Sequence, residues 1–175
     1  FNGTDAAGNS ATQVSVTGIT YDTTAPAFSS VSPSTSSTVN TTAVGYTLSE
    51  AIASGTVTYT RTSGTADGNS PHTVALAGTE LNSGTRSSAV LTNAPTLVNG
   101  TIYTIAFNGT DAAGNSATQV SVTGITYDTT APTVSSVSTT ADNQSSVSIT
   151  DNITVTFSEA MEPSYITTST SPGGY

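Results

Sequence analysis

Cysteine, lysine and tryptophan are absent from this chain of 175 residues, and the first two absences exclude whole classes of cross-link and site. A chain without cysteine has no disulfides, no thiolate metal ligands and no cysteine nucleophile. A chain without lysine cannot close an isopeptide bond between a lysine amine and an asparagine or aspartate side chain. We therefore expect packing and bound ions to hold the fold together.

Positive charge is almost as scarce. Arg61 and Arg86 are the only residues with a fixed positive charge, and the formal net charge is -9. Such a chain repels phosphate groups, which excludes nucleic acid and anionic membrane surfaces as partners. No run of eighteen apolar residues is present, so we expect no insertion into a membrane.

The chain does contain a long exact repeat. The stretch FNGTDAAGNSATQVSVTGITYDTTAP begins at Phe1 and again, 106 residues later, at Phe107. This offset is about the length of a small domain, which predicts a tandem array of modules. We assign residues 1–21 to the end of a preceding repeat, 22–128 to a complete repeat and 129–175 to the first part of a second, non-identical module.

Apolar residues alternate with polar or small ones along most of the chain, which predicts β-strands and hardly any helix. One period contains seven such segments, near residues 27–32, 42–49, 55–62, 72–77, 86–92, 101–107 and 117–126. Seven short strands in about 100 residues are typical of an immunoglobulin-like β-sandwich. The expected core residues are Val44, Tyr46, Leu48, Val57, Tyr59, Tyr103, Ile105, Phe107, Val120 and Val122.

Two positions carry more specific expectations. Tyr103 stands near the start of the sixth strand, where a tyrosine hydroxyl can bond back to nearby backbone and form a tyrosine corner. The alternative is that Tyr103 is simply a core aromatic. Gly124 interrupts the alternation between Val122 and Ile125, and a β-bulge there would return Ile125 to the core.

Two segments resemble a known family. The segment TIYTIAFNGTDAAGNSATQVSVTGITYDTTAP is similar to the end of the bacterial immunoglobulin-like tandem repeats of large extracellular adhesins and biofilm-associated surface proteins. The segment NITVTFSEAMEPSYITTST is similar to the opening of another bacterial immunoglobulin-like module. The resemblance implies an extracellular location at the bacterial cell surface, with neighbouring modules of the same or another chain as partners.

Three acidic residues are expected to meet at one end of the sandwich. In this fold the loops after the second and sixth strands lie at the end where the chain enters, which places Glu50 and Asp111 beside Asp22 of the linker. Carboxylates with hardly any basic residue to neutralise them favour a hard divalent cation, calcium above all. Asn108 and backbone carbonyls could complete the ligand shell.

The resemblance implies the same calcium-binding role for Asp128 and Glu159 at the next junction, because related adhesin repeats often bind calcium there. The alternative for the first junction needs no ion. Asp22 and Asp111 can each hold a turn through their own backbone, and Glu50 can be a solvated loop residue.

An enzymatic function finds little support in the sequence. His72 is the only histidine, and beside Pro71 in a polar strand we expect it at the surface rather than in a catalytic triad. Glu159 and Glu162 lack nearby aromatic partners of the kind that a sugar-cleaving site uses. We therefore predict a non-catalytic spacer or stalk module.

Two other functions remain open. Copies of the chain could self-assemble into a filament or sheath, with strands exchanged between neighbours. The chain could also be a carbohydrate-binding module of a secreted enzyme. That function would need exposed aromatic side chains, and the sequence contains seven Tyr, four Phe and no Trp.

Overall fold

The computed structural model describes residues 1–139 and 153–161, and the chain divides into two compact units, Phe1–Thr129 and Thr130–Tyr175. The strands of the first unit are β1 (Phe28–Ser32), β2 (Thr38–Val39), β3 (Val44–Leu48), β4 (Ser54–Gly64), β5 (His72–Ala75), β6 (Gly84–Ala89), β7 (Thr101–Thr110) and β8 (Val120–Tyr127). A 3-10 turn, Gly78–Leu81, lies between β5 and β6.

These eight strands form two sheets with the core between them. One sheet has the order β1-β3-β6 and the other has the order β2-β8-β7-β4-β5. Neighbouring strands are antiparallel except β2, which pairs in parallel with β8 through Thr38 and Val39. This arrangement is that of an immunoglobulin-like sandwich, so the predicted fold class is confirmed.

Alternation along the strands fills the space between the sheets. On β7 the side chains of Tyr103, Ile105 and Phe107 are buried, while the residues between them are more exposed. Phe107 also packs against the rings of Phe28 and Tyr46, with centroid distances of 6.0 Å in both pairs. Burial of each such side chain contributes about 1.5–3 kcal/mol.

The predicted core is confirmed with one adjustment. Nine of its ten members are buried, and Val120 packs against the core while remaining partly exposed. The core also contains residues that the alternation did not point to, mostly because they lie in loops or at strand ends: Phe28, Ile52, Val74, Leu76, Leu91, Leu97 and Ala117.

Gly124 lies at a β-bulge, as predicted. The pairing of β7 with β8 steps from Ile105 opposite Val122 to Tyr103 opposite Ile125, so β8 carries one extra residue. The φ angle of Gly124 is +71°, a left-handed conformation that glycine adopts without steric cost. The bulge restores the side chain of Ile125 to the core.

The second unit opens as the first one does. Strands β9 (Val134–Thr139) and β10 (Ile153–Phe157) form an antiparallel pair in which Val134 lies opposite Phe157. In the first unit β1 and β3 are paired in the same manner, with Phe28 opposite Leu48.

The segment Phe1–Tyr21 contributes no strand to either sheet. Its hydrogen bonds join it to itself: Thr4 bridges Ser10, and Phe1 and Val14 exchange two backbone bonds. Its large apolar side chains are exposed to solvent, whereas the same sequence further along the chain forms the end of β7 and all of β8.

Candidate cation site

Three carboxylates meet at the end of the sandwich where the chain enters it, here named the entry pole. Asp22 lies in the linker before β1, Glu50 follows β3 and Asp111 follows β7. One carboxylate oxygen of each residue belongs to a group whose atoms all lie within 4.8 Å of one another. Asp111 is buried and the other two residues are half-buried. We call these three residues the entry-pole acids.

Asp111 is fixed by the turn that it begins. Its Oδ1 accepts hydrogen bonds from the backbone N–H groups of Ala113 and Asn115, each at 2.8 Å. Its Oδ2 accepts a third bond, also 2.8 Å, from the side-chain amide of Asn115. These bonds, with that of the Asn115 side chain foremost, lower the pKa of Asp111. The carboxylate is thus ionised at neutral pH and keeps lone pairs for a further partner.

Asn115 also connects this turn to the linker, because its side-chain amide donates to the carbonyl oxygen of Asp22 at 3.2 Å. The Asp22 carboxylate accepts a bond from the N–H of Thr24 at 2.9 Å. Among the described residues, none donates a hydrogen bond to the Glu50 carboxylate. Asp22 and Asp111 therefore do hold their turns by hydrogen bonds to nearby backbone. Their carboxylates also lie close to that of Glu50.

The geometry of the entry-pole acids suits a hard cation. Two oxygens that each lie about 2.4 Å from one calcium ion are at most about 4.8 Å apart, which is the limit that these three carboxylates meet. The chain's two arginines, Arg61 and Arg86, donate to backbone carbonyls elsewhere in the sandwich. Like charges at this separation repel one another, and a divalent cation between them would remove that repulsion.

The acids line an open cleft of about 300 Å³ together with Thr20, Ala51, Ala112 and Ala113. Asn108, which we expected to complete the ligand shell, is not among these residues. Even-numbered positions of β7 face away from the core, so the Asn108 side chain is exposed on the outer face of the sheet. Its Oδ1 accepts a hydrogen bond from the N–H of Gly109 at 2.8 Å. Backbone carbonyls of the cleft and water molecules would have to supply the further oxygen ligands.

The two other predicted acids belong to different units, which are described separately. Asp128 follows β8, and its N–H donates to the carbonyl of Val39 at 2.9 Å. Glu159 follows β10 as Glu50 follows β3. Glu159 is half-buried, and its Oε1 has no hydrogen-bond partner within residues 1–139 and 153–161.

A second polar cluster lies near the opposite end of the sandwich, where β7 begins and β8 ends, here named the exit pole. The hydroxyl of Tyr103 accepts a bond from the backbone N–H of Val98 at 3.1 Å and donates to Asp67 Oδ2 at 2.6 Å. The bond to upstream backbone is the contact that defines a tyrosine corner. The same Asp67 oxygen lies 2.6 Å from Nε2 of His72. Hydrogen bonds from Tyr103 and then His72 lower the pKa of buried Asp67 to about 2.

His72 is therefore not at the surface, and the expectation from the sequence is corrected. Only 12% of its side chain is exposed, and its ring lies edge-on to that of Tyr103. The reason is Asp67, which turns inward from the loop between β4 and β5 and draws both groups to its carboxylate. The one signal in the sequence was an Asp five residues before the His. The cluster ties this loop to the start of β7.

A family model for the bacterial Ig-like domain matches residues 22–126 and again residues 128–173. The chain belongs to the bacterial Ig-like domain family. Both matched segments of this Ig-like chain begin at the aspartate of a DTTAP linker, Asp22 in one case and Asp128 in the other. Domains of this family are commonly modules of surface proteins and are typically non-catalytic. No curated protein and no solved structure gives a match to the chain. The described part of this Ig-like chain offers no helix that could span a bilayer.

Proposed function

We propose that this chain is a spacer module of a long extracellular protein on the bacterial surface, a non-catalytic stalk that holds another part of the protein away from the cell. The observation that carries the proposal is that the complete repeat begins and ends at opposite poles of its sandwich.

The two ends of the repeat are located by their contacts. Asp22 lies among the entry-pole acids beside Asp111, just past the last residue of β7. Asp128 is bonded to Val39 at the exit pole, and Thr129 is bonded there to the side chain of Asn99, just before β7 begins. The ten residues of β7 therefore separate the two ends, a length of about 30 Å at roughly 3.3 Å per residue. With its linker, each module would add about 40 Å to an array.

Composition and surface support the same function. An exact repeat adds length without new chemistry, and an acidic surface rich in Ser and Thr keeps a chain soluble without a defined partner. Within residues 22–128 all six aromatic side chains are buried or partly buried. A carbohydrate-binding surface would need exposed rings, so that alternative lacks support from the sandwich.

Small-angle X-ray scattering on chains with one, two and four successive copies of residues 22–127 tests the spacer function. We expect the maximum dimension to increase by about 40 Å for each added copy. A maximum dimension that grows only with the cube root of the mass would mean that the copies collapse on one another, and the spacer proposal would be abandoned.

We further propose that calcium binds the entry-pole acids. Asp22 belongs to the linker, whereas Glu50 and Asp111 belong to the body of the sandwich, so an ion held by all three would fasten the linker to the module that follows it. The support is the set of three oxygen ligands within the span of one coordination shell, together with the binding of both arginines to backbone carbonyls elsewhere in the sandwich.

Thermal unfolding with calcium and with a chelator tests this second proposal. Glu50→Gln removes one ligand charge without breaking any hydrogen bond of the turn, and Asp5→Asn removes the same charge from the identical turn in Phe1–Tyr21. We expect calcium to raise the melting temperature of the original chain and of Asp5→Asn, but not that of Glu50→Gln. Equal responses of all three proteins, or no response, would rule out the site and leave the spacer function unaffected.

A further inference from the structure

The chain contains several Asn-x-Ser/Thr sequences, the acceptor pattern for asparagine-linked sugars. They begin at Asn2, Asn40, Asn99, Asn108, Asn143 and Asn152, of which the last two lie outside the described residues. In a chain this rich in Ser and Thr, the pattern alone does not select a site. The structure does select among the others, because an acceptor must present both its side-chain amide and the hydroxyl two residues later to an enzyme.

Two of the acceptor sequences are closed off by the sandwich. The pattern at Asn99 needs the hydroxyl of Thr101, which is fully buried and donates a hydrogen bond to the carbonyl oxygen of Thr65 at 3.0 Å. Asn108 lies within β7, where Thr56 of the neighbouring strand β4 is opposite it. An enzyme could bind either sequence only after the sandwich had opened locally.

The acceptor sequence at Asn40 lies instead in the loop between β2 and β3. Asn40 and Thr41 are exposed, and Thr42 is half-buried. In the part of the chain that the structure describes, no group bonds to the side-chain amide of Asn40 or to the hydroxyl of Thr42. The loop is held through its backbone, because the carbonyl oxygen of Thr42 accepts a bond from the Tyr59 hydroxyl at 2.9 Å. Both groups that the acceptor pattern requires are therefore available on an anchored surface loop.

We propose that Asn40 is a site of asparagine-linked glycosylation in the folded protein. The donor is a sugar whose C1 carbon is bonded to a diphosphate. The side-chain nitrogen of Asn40 forms a bond to C1, the bond between C1 and the diphosphate oxygen breaks, and the amide loses one proton to a base of the transferring enzyme. The diphosphate leaves with the bonding electrons, so no oxidant or reductant takes part.

A sugar on Asn40 would stand beside the linker that leaves the sandwich. Val39, the residue before Asn40, accepts a hydrogen bond from the N–H of Asp128 at 2.9 Å at the exit pole. A bulky, hydrated group at this position would cover the linker on one side and hinder proteases there. The modification is independent of cation binding at the entry pole.

The test offers the folded chain to both kinds of biological sugar donor. Asn2→Gln is the starting chain, because Asn2 is exposed and shares the tryptic peptide 1–61 with Asn40. One portion receives an oligosaccharyltransferase with a polyprenyl-diphosphate-linked sugar. Another portion receives a soluble asparagine glycosyltransferase with a nucleoside-diphosphate sugar. We expect mass spectrometry to find a sugar on Asn40 in at least one portion, and that portion identifies the donor.

The rate at Asn40 should exceed the rates at Asn99 and Asn108 about 10-fold or more, because a surface loop opens at less cost than a paired strand or a buried turn. Free peptides of residues 36–46, 95–105 and 104–114 are the control for sequence preference, and we expect them to react at similar rates. Equal rates at the three asparagines of the folded chain overturn the proposal. A folded chain that takes no sugar at Asn40, while the peptide 36–46 reacts, overturns it as well.

A matched pair of variants at Thr42 tests the role of the hydroxyl. Thr42→Val removes the hydroxyl and keeps the size of the side chain, whereas Thr42→Ser keeps the hydroxyl. We expect Thr42→Val to lose the sugar on Asn40 and Thr42→Ser to retain it; equal modification of the two variants would contradict the assignment. Array length in the scattering experiment does not depend on a sugar, so failure of this proposal leaves the spacer function standing.

Discussion

The two copies of the exact repeat, Phe1–Pro26 (the first copy) and Phe107–Pro132 (the second copy), are one sequence in two settings. They agree in their turns while differing in their strands. In the first copy Asp5 accepts bonds from Ala7 and Asn9 at 3.0 and 2.8 Å, the same bonds that Asp111 makes in the second copy. The φ angles of Gly8 and Gly114 are +91° and +96°. Yet the residues that form β8 in the second copy form no strand in the first.

The difference shows which features of the block are local. An Asx turn closes bonds between residues two to four positions apart, so it forms wherever its sequence occurs. A strand satisfies its N–H and C=O groups only through another strand, and its apolar face needs a core to cover it. The first copy has no neighbouring strands to pair with. Its residues therefore form the turn but not the strand.

Truncation of the shared phenylalanine should separate the copies most strongly. Phe107→Ala removes a ring in contact with Phe28 and Tyr46, which should lower the free energy of unfolding by about 3–5 kcal/mol. Phe1→Ala removes an exposed ring and should change that free energy by less than about 0.5 kcal/mol. Urea denaturation measures both. Similar losses in the two variants would mean that the first copy is packed in solution.

A smaller effect on stability is expected at Tyr103. This residue precedes the second copy in the chain and lies in the same core. Tyr103→Phe keeps the ring but leaves the N–H of Val98 and the Asp67 carboxylate without this hydroxyl, which should cost about 1–3 kcal/mol. The NMR signals of residues 107–127 should shift in this variant, while those of residues 1–21 should not. Shifts in both copies would show that they are coupled.

The bulge glycine offers a third matched pair. Gly124 and Gly18 have φ angles of +71° and +73°, and an alanine at either position would be strained. Gly124→Ala should lower the free energy of unfolding by about 1–2 kcal/mol, because a residue with a side chain pays that cost in the left-handed region. Gly18→Ala should have no effect on global unfolding, since nothing in the sandwich depends on its conformation. A measurable loss in Gly18→Ala would contradict the exposed state of the first copy.

The smallest expected difference between the two copies is in how their turns contribute to stability at low pH. Hydrogen bonds, from Asn9 in one copy and Asn115 in the other, lower the pKa of both Asp5 and Asp111. Each turn is therefore stabilised above the unfolded pKa of about 3.9 and loses that contribution as the pH falls through its lowered value. NMR titration should show both carboxyls below their ordinary pKa. Only Asp111→Asn should flatten the fall of global stability with acid, and Asp5→Asn should leave that curve unchanged.

The sequence was sufficient to predict the features that depend on residues close together in the chain. Alternation predicted the strands that hold Val44, Tyr46 and Phe107, and Gly124 predicted the bulge. The convergence of Glu50 and Asp111 followed from the topology, because loops after alternate strands of a sandwich share one end.

Long-range features escaped prediction for a physical reason. Strand β2 has two residues, Thr38 and Val39, which is too short to show a period, and its parallel partner lies far along the chain. The inward turn of Asp67 toward His72 depends on the shape of a loop rather than on any spacing. Asn108 is no ligand because β7 continues to Thr110, three residues beyond the predicted end of the strand at residue 107, so the Asn108 side chain faces out of the sheet.

The short parallel contact between β2 and β8 has a mechanical consequence. Its hydrogen bonds join Ser36 to Thr123, Ser37 to Thr126 and Val39 to Asp128, and they lie across the direction from the entry pole to the exit pole. Tension applied through the linkers would draw β8 lengthwise past β2. The bonds would then be sheared together rather than opened one after another, as they would be in a hairpin pulled from its open end. In the proposed spacer function, this small patch would share the load with the pairing of β7 and β8.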